Sequence, residues 1–157
     1  SIMFNALKIP QVSRLTQVGI RDYCLAEAEL AQKDQRISVF YDRDLSKAAF
    51  EGENWAKTVD RIVATLPQKV YVSFDIDGLD PKLCPNTGTP VPGGLEFEQA
   101  MYLIEAIVKS GRSIIGFDLC EVAPGKKGDW DANVGARVLY RLANQAWLSQ
   151  QPKANDN

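Results

Sequence analysis

Asp75 and Asp77 stand two residues apart in Ser73-Phe74-Asp75-Ile76-Asp77-Gly78-Leu79-Asp80-Pro81, directly after a run of β-branched and aromatic residues. On an extended chain such a pair projects to one side, with Cα atoms about 6.6 Å apart. Two carboxylates aimed at one spot repel unless a cation lies between them. Their hard oxygens suit manganese, magnesium or calcium, and a bridging carboxylate is what a site with two metals about 3.5–4 Å apart requires. The plainer reading is a polar turn in which one Asp caps a helix or accepts backbone N–H bonds. A position at the carboxyl end of a parallel strand, where open α/β sheets place their ligands, favours the metal.

The 157 residues contain no histidine, which removes the commonest general base and the commonest nitrogen ligand together. Chemistry done by this chain runs on carboxylates, hydroxyls, thiols or lysines. Cys24, Cys84 and Cys120 are odd in number and widely spaced, as expected of reduced, packed thiols in a cytoplasm rather than a disulfide framework or zinc site. A net charge of −2 with scattered basic residues gives no reason to expect nucleic acid or an anionic membrane as partner, and points to a small substrate. No apolar run approaches the ~18 residues of a membrane span, and the N-terminus lacks the pattern of a signal peptide, so the chain reads as soluble and cytoplasmic.

The elements that must position the two aspartates alternate strand and helix, predicting an α/β fold with a mainly parallel sheet, doubly wound in three α/β/α layers. Residues 12–20 read as a strand, 27–32 as a short helix and 37–41 as a second strand. Trp55, Val59, Ile62, Val63 and Leu66 mark one face of a helix stopped by Pro67. A strand over 69–74 leads into a Gly/Pro-rich loop from Asp75 to Gly94, long enough to suggest function. Phe97, Met101, Ile104, Ile107 and Val108 predict the next helix, ended near Gly111, and residues 113–119 a buried strand. A last helix begins near Asp131, capped by Asp129 or Asp131, with Val134, Val138, Leu142 and Ala146 on one stripe. Lys126-Lys127 reads as a solvated turn, and residues 150–157 as a disordered tail. The Trp55/Val59 and Phe97/Met101 stripes read as core, and Trp130 and Trp147 need no functional explanation. Residues 1–10 look like a helix entered midway, as a cut inside a larger domain would leave it.

Three segments in order give the chain a family resemblance. Ser73 to Pro81 resembles the Ser-Phe-Asp-x-Asp-Gly-Leu-Asp-Pro motif of the ureohydrolases, the family of arginase, agmatinase and formiminoglutamase. Asn86-Thr87-Gly88-Thr89-Pro90 with Gly93-Gly94 is similar to that family's following Gly-Thr-Pro and Gly-Gly segment. Phe117-Asp118-Leu119-Cys120-Glu121-Val122-Ala123-Pro124 is similar to its Asp-x-x-Glu-Val-x-Pro. The resemblance covers nearly the whole chain but only the C-terminal half of a family domain. It implies an arginase-like fold, with 1–149 as the C-terminal part of one ureohydrolase domain.

By that resemblance Asp75 would bridge two Mn²⁺ ions, Asp77 would bind one of them, and Glu121 would accept the guanidinium of an agmatine- or arginine-type substrate. A carboxylate suits that role, since it takes a planar cation with paired N–H donors in bidentate fashion. Thr89 and Asp118 would line the same pocket, with turn structure and a structural hydrogen bond as their respective plain readings. In the family the metals lower the pKa of a bridging water, and the resulting hydroxide attacks the guanidinium carbon to release urea. The family's Gly-Gly-Asp-His and Asp-x-His-x-Asp segments and its substrate-side histidine do not occur here. Catalytic residues are therefore not assigned, and weak metal binding without hydrolysis is expected of the chain alone, with a homo-oligomer expected of the complete enzyme. Glu121-Val122-Ala123-Pro124 leans slightly towards agmatinase-like members.

Two other readings compete. Phe74-Asp75-Ile76-Asp77-Gly78 also resembles the nucleophile strand of haloacid-dehalogenase-like phosphatases, with Asp75 attacking phosphorus and Asp77 as acid and base. Leu79 stands where that family usually has Thr, and its motif normally lies near the start of the domain. The third reading is a non-catalytic module that keeps the fold.

Overall fold

The computed structural model describes residues 2–125 and 128–152. The Lys126-Lys127 turn and the tail beyond residue 152 lie outside the described residues. The chain forms two compact units, Ser1–Pro67 and Gln68–Asn157.

In the first unit a short helix α1 (Ile2–Ala6) precedes β1 (Leu15–Ile20), α2 (Leu25–Lys33), β2 (Ile37–Tyr41), α3 (Asp42–Phe50) and α4 (Trp55–Ala64). β1 and β2 pair in parallel from Leu15 opposite Ile37 to Ile20 opposite Tyr41, with an irregularity around Gly19. The strand starts at Leu15, three residues later than the β-branched run beginning at Val12 suggests. Arg36 fixes the start of β2 by gripping Asp34 through Nη2 at 2.7 Å and donating from Nη1 to the Leu7 carbonyl at 2.9 Å.

Helix α3 has no counterpart in the sequence reading. It follows β2 without an intervening loop, and buries one apolar side chain, Leu45, too little to make a periodic stripe. Asp42 and Asp44 in its first turn complement the helix dipole. Helix α4 is the amphipathic helix expected. Asn54 caps it by accepting from the Lys57 amide at 2.9 Å, and Thr58, Val59, Ile62 and Val63 form its buried face.

The second unit runs β3 (Lys69–Asp75), a single 3₁₀ turn Ile76–Gly78, α5 (Phe97–Lys109), β4 (Ser113–Cys120) and α6 (Trp130–Ser149). β3 and β4 pair in parallel, Lys69 opposite Ser113 through to Asp75 opposite Cys120. The register slips after Val70, where Gly116 lets the Tyr71 ring approach: a Cβ on Gly116 would lie 2.9 Å from that ring.

α6 lies on β4 and packs against α5. Its Val134, Val138, Leu142 and Ala146 form the buried stripe, facing a core that includes Ile76, Leu79, Met101, Ile104 and Ile114. Each such side chain removed from water contributes about 1.5–3 kcal/mol. Phe97 and Trp55, at the starts of their stripes, are only half-buried. Trp130 and Trp147 are exposed. The end of α6 is stitched to the start of β4: Ser149 Oγ accepts from the Ile114 amide at 2.9 Å, and Gln150 Nε2 donates to its carbonyl at 3.0 Å.

The capping expectation at α6 needs correcting. Asp129 occupies the cap position but its side chain makes no capping bond. Asp131 is 1% exposed and its carboxylate points away from the helix end, towards Asn86. A carboxylate that deep is held by hydrogen bonds from another part of the chain rather than by its own helix terminus.

Candidate functional site

β3 ends at Asp75, and the chain then tightens into the 3₁₀ turn instead of continuing extended through Asp77. Asp75 caps that turn, its Oδ1 accepting from the Asp77 amide at 3.2 Å. The polar-turn reading of this motif therefore describes its local geometry, and the turn is also what brings the two carboxylates together. The turn is rigid because Ile76 and Leu79 on either side are wholly buried, and because the buried Cys84 thiol donates to the Ile76 carbonyl at 3.3 Å. Leu79 then bridges to Leu95, with the Asp80 amide on the Leu95 carbonyl at 2.9 Å. Gly94 makes this approach possible: its φ is +99°, and a Cβ there would sit 2.6 Å from the Leu79 carbonyl oxygen.

Asn86-Thr87-Gly88-Thr89 folds back over the strand ends. Thr89 Oγ1 donates to Asp77 Oδ2 at 3.1 Å. Thr87, 5% exposed, donates from Oγ1 to the Glu121 carbonyl at 3.1 Å. Between them a Cβ on Gly88 would come within 3.3 Å of Glu121 Oε2, so the absence of a side chain there leaves room for that carboxylate. Asn86 anchors the segment, donating from its amide and from Nδ2 to the two oxygens of Asp131 at 2.9 and 2.8 Å.

Glu121 follows directly on β4 with φ +61°, the one non-glycine residue with positive φ among the described residues. Such a conformation costs about 1–3 kcal/mol and persists only where its surroundings hold it. Asp118, half-buried on β4 opposite Ser73, accepts from Ser73 Oγ at 2.9 Å and from Cys120 Sγ at 3.3 Å. Its charge, through hydrogen bonding first, pushes the Tyr71 phenol and the Cys120 thiol above their ordinary ranges.

The electrostatics show how close these groups lie. Desolvation pushes the Asp75 carboxyl up to about 6; the Asp77 and Glu121 carboxylates push the same way, against the lowering effect of the Asp77 amide. Cys120 responds to Asp118, Asp75 and Glu121 together. Asp75, Asp77, Thr89, Asp118 and Glu121, picked out in the sequence, thus gather at the carboxyl ends of β3 and β4. The sequence reading passed over Ser73, Cys120, Thr87 and Gly88. Ser73 and Cys120 had a signal, being two residues from Asp75 and Asp118 and so on the same strand faces.

Carboxylates gathered around Asp75, whose proton affinity they raise, form a site suited to a cation. The donors are hard oxygens, chemically compatible with manganese, and Asp75 and Asp77 are the residues that could hold it. Among the described residues no three His, Cys, Asp or Glu side chains are placed to hold one ion. None of the three cysteines forms a disulfide; Cys84 is buried, whereas Cys24 and Cys120 are exposed and do not serve as packing.

The chain matches the model of the Arginase family over residues 1–144. It is 32% identical over 143 residues to the N(1)-aminopropylagmatine ureohydrolase of Thermus thermophilus, covering 87% of this chain and 45% of that protein. It is 37% identical over 110 residues to the mitochondrial Arginase-2 of Rattus norvegicus, covering 70% and 30%. Among solved structures, a hypothetical agmatinase from Burkholderia thailandensis superposes with a TM-score of 0.72 at 30% identity, covering 96% of this chain and 44% of that one. The proclavaminate amidino hydrolase of Streptomyces clavuligerus superposes with a TM-score of 0.71 at 28% identity, covering 88% and 44%. The chain therefore spans less than half the length of the relatives it matches.

Proposed function

This chain belongs to the arginase family, and from that premise we propose that it forms part of a manganese-dependent hydrolase that releases urea from a guanidino compound of the agmatine or arginine type. The observation that carries the reading is the placement of Asp75, Asp77 and Glu121 around one loop segment, with Thr89 on Asp77 and Gly88 against Glu121. Such an acidic cluster calls for two kinds of cation: a metal on Asp75 and Asp77, and a planar guanidinium on Glu121.

The chain's own residues bind and orient. Thr89 steadies Asp77, Ser73 and Cys120 fix Asp118, and Glu121 presents its carboxylate to paired N–H donors. Asp75 exchanges a proton near pH 6, so it is available to a metal at neutral pH. When bound, manganese would supply the Lewis acidity that makes water nucleophilic near neutral pH. Two carboxylates are a small ligand set, so the chain by itself is proposed to bind Mn²⁺ weakly and to release no measurable urea.

The same proposal includes a cytoplasmic setting, consistent with three cysteines outside any disulfide, and homo-oligomers in the working enzyme. Exposed Tyr140, Trp147 and Leu148 on α6 are apolar surface of the kind that self-association covers. No helix among the described residues is long and apolar enough to cross a membrane.

Calorimetric titration with Mn²⁺, run on the chain and on an Asp75→Ala/Asp77→Ala double variant, tests the assignment. Weak binding that disappears in the variant supports it. Binding of equal strength in both proteins removes Asp75 and Asp77 from the metal site, and tight binding of two ions by the chain overturns the limited ligand set.

A further inference from the structure

Glu121 reaches the site only by adopting a left-handed backbone that a residue with a Cβ disfavours. Something must hold it there, and the structure shows two restraints. Thr87 is buried, and its hydroxyl donates to the Glu121 carbonyl at 3.1 Å. On the far side, Val122 fits the notch that Gly135 leaves in α6, where a Cβ would lie 3.0 Å from both valine methyls. Of the two, Thr87 acts on Glu121 itself, and it is rigidly supported. Its amide donates to the carbonyl of the fully buried Cys84 at 3.2 Å, and the preceding Asn86 is bonded twice to Asp131. The next residue, Gly88, is the one whose missing side chain makes room for the Glu121 carboxylate.

We propose that Thr87 is a positioning residue for Glu121: its hydroxyl holds the Glu121 carbonyl, keeps the left-handed backbone in place, and so aims the carboxylate over Gly88 towards the guanidinium of the substrate. This rests on the reading of Glu121 as the guanidinium-binding carboxylate. Thr87 touches no substrate in this arrangement. Its effect is on how often Glu121 is in the competent conformation, and a ligand's apparent affinity falls in proportion to that fraction.

The test compares the metal-free chain with its Thr87→Val, Thr87→Ser and Glu121→Gln variants by two readouts. A residue with positive φ brings its own amide and α hydrogens close, so the wild-type chain should show a strong intraresidue amide-to-α NOE at Glu121. The second readout is titration with agmatine as the guanidinium probe. Thr87→Val, which keeps the shape and loses the donor, should weaken that NOE and reduce agmatine affinity by about tenfold or more. Thr87→Ser should restore both, which a loss of general packing would not predict. If Thr87→Val keeps the NOE and the affinity while Glu121→Gln loses binding, the positioning role is wrong and the reading of Glu121 stands. If agmatine does not bind the wild-type chain, or binds Glu121→Gln equally well, the reading of Glu121 fails and takes the proposal with it.

Discussion

Asp131 and Gly135 stand one helical turn apart on α6, and each seats one arm of the site. Asp131 takes both donors of Asn86 and so anchors the segment that carries Thr87, Gly88 and Thr89. Gly135 receives Val122, next to Glu121. Residues four apart lie on the same helix face, so one rigid element sets the spacing between the loop and the strand end that share the acidic cluster.

Asp131 is 1% exposed, and truncating it removes two part-buried hydrogen bonds from Asn86 and leaves a cavity where the carboxylate was. Asp131→Ala is expected to destabilise the chain by roughly 2–3 kcal/mol. Urea denaturation would register this as a lower midpoint with little change in slope, and an unchanged midpoint would show that Asn86 finds another partner.

Gly94 and Gly128 both have positive φ, at +99° and +90°, yet their surroundings differ. A Cβ at Gly94 collides with the Leu79 backbone, whereas at Gly128 it meets open space. Gly128→Ala should therefore cost about 1–2 kcal/mol from backbone strain alone. Gly94→Ala adds a clash with immovable backbone, and is expected to cost more than about 3 kcal/mol. Thermal unfolding of the two variants side by side decides between strain and clash.

Protons compete with metal at Asp75. Its carboxyl is raised to about 6 from an ordinary value of 3.8, so the protonated form gains as the pH falls through 6. Mn²⁺ affinity should be flat above about pH 7 and decline below pH 6, approaching tenfold per pH unit for one displaced proton. Carbon NMR of the metal-free chain should find Asp75 titrating near 6, and titrating lower in Asp77→Asn, although still above its ordinary value because the desolvation remains. An Asp75 that titrates at its ordinary value would remove the basis for the pH dependence.

Thr89 Oγ1 restrains Asp77 Oδ2 at 3.1 Å. Losing such a partner typically costs 10–100-fold in metal affinity. Thr89→Val should therefore weaken Mn²⁺ binding by roughly tenfold, and Thr89→Ser should recover most of it. Calorimetry at pH 7.5 would measure both, and equal affinities for all three proteins would make Thr89 a plain turn residue.

The amino-acid sequence by itself determined the elements with strong periodicity and the residues that gather at the site. The stripe Val134, Val138, Leu142 and Ala146 specified α6 because burial of a helix face repeats every three to four residues. The β-branched runs ending at Asp75 and Cys120 specified β3 and β4, and with them the end of the sheet at which the carboxylates lie. Local signals of that kind say nothing about contacts between residues far apart in the chain. α3 escaped notice because its single buried side chain makes no period. Asp131 reads as a helix cap in the sequence, and only the tertiary structure, by burying it against a loop 45 residues away, makes it the anchor of Asn86. The left-handed backbone of Glu121 was equally invisible, because the Thr87 hydroxyl and the notch at Gly135 that hold it are brought together only by folding.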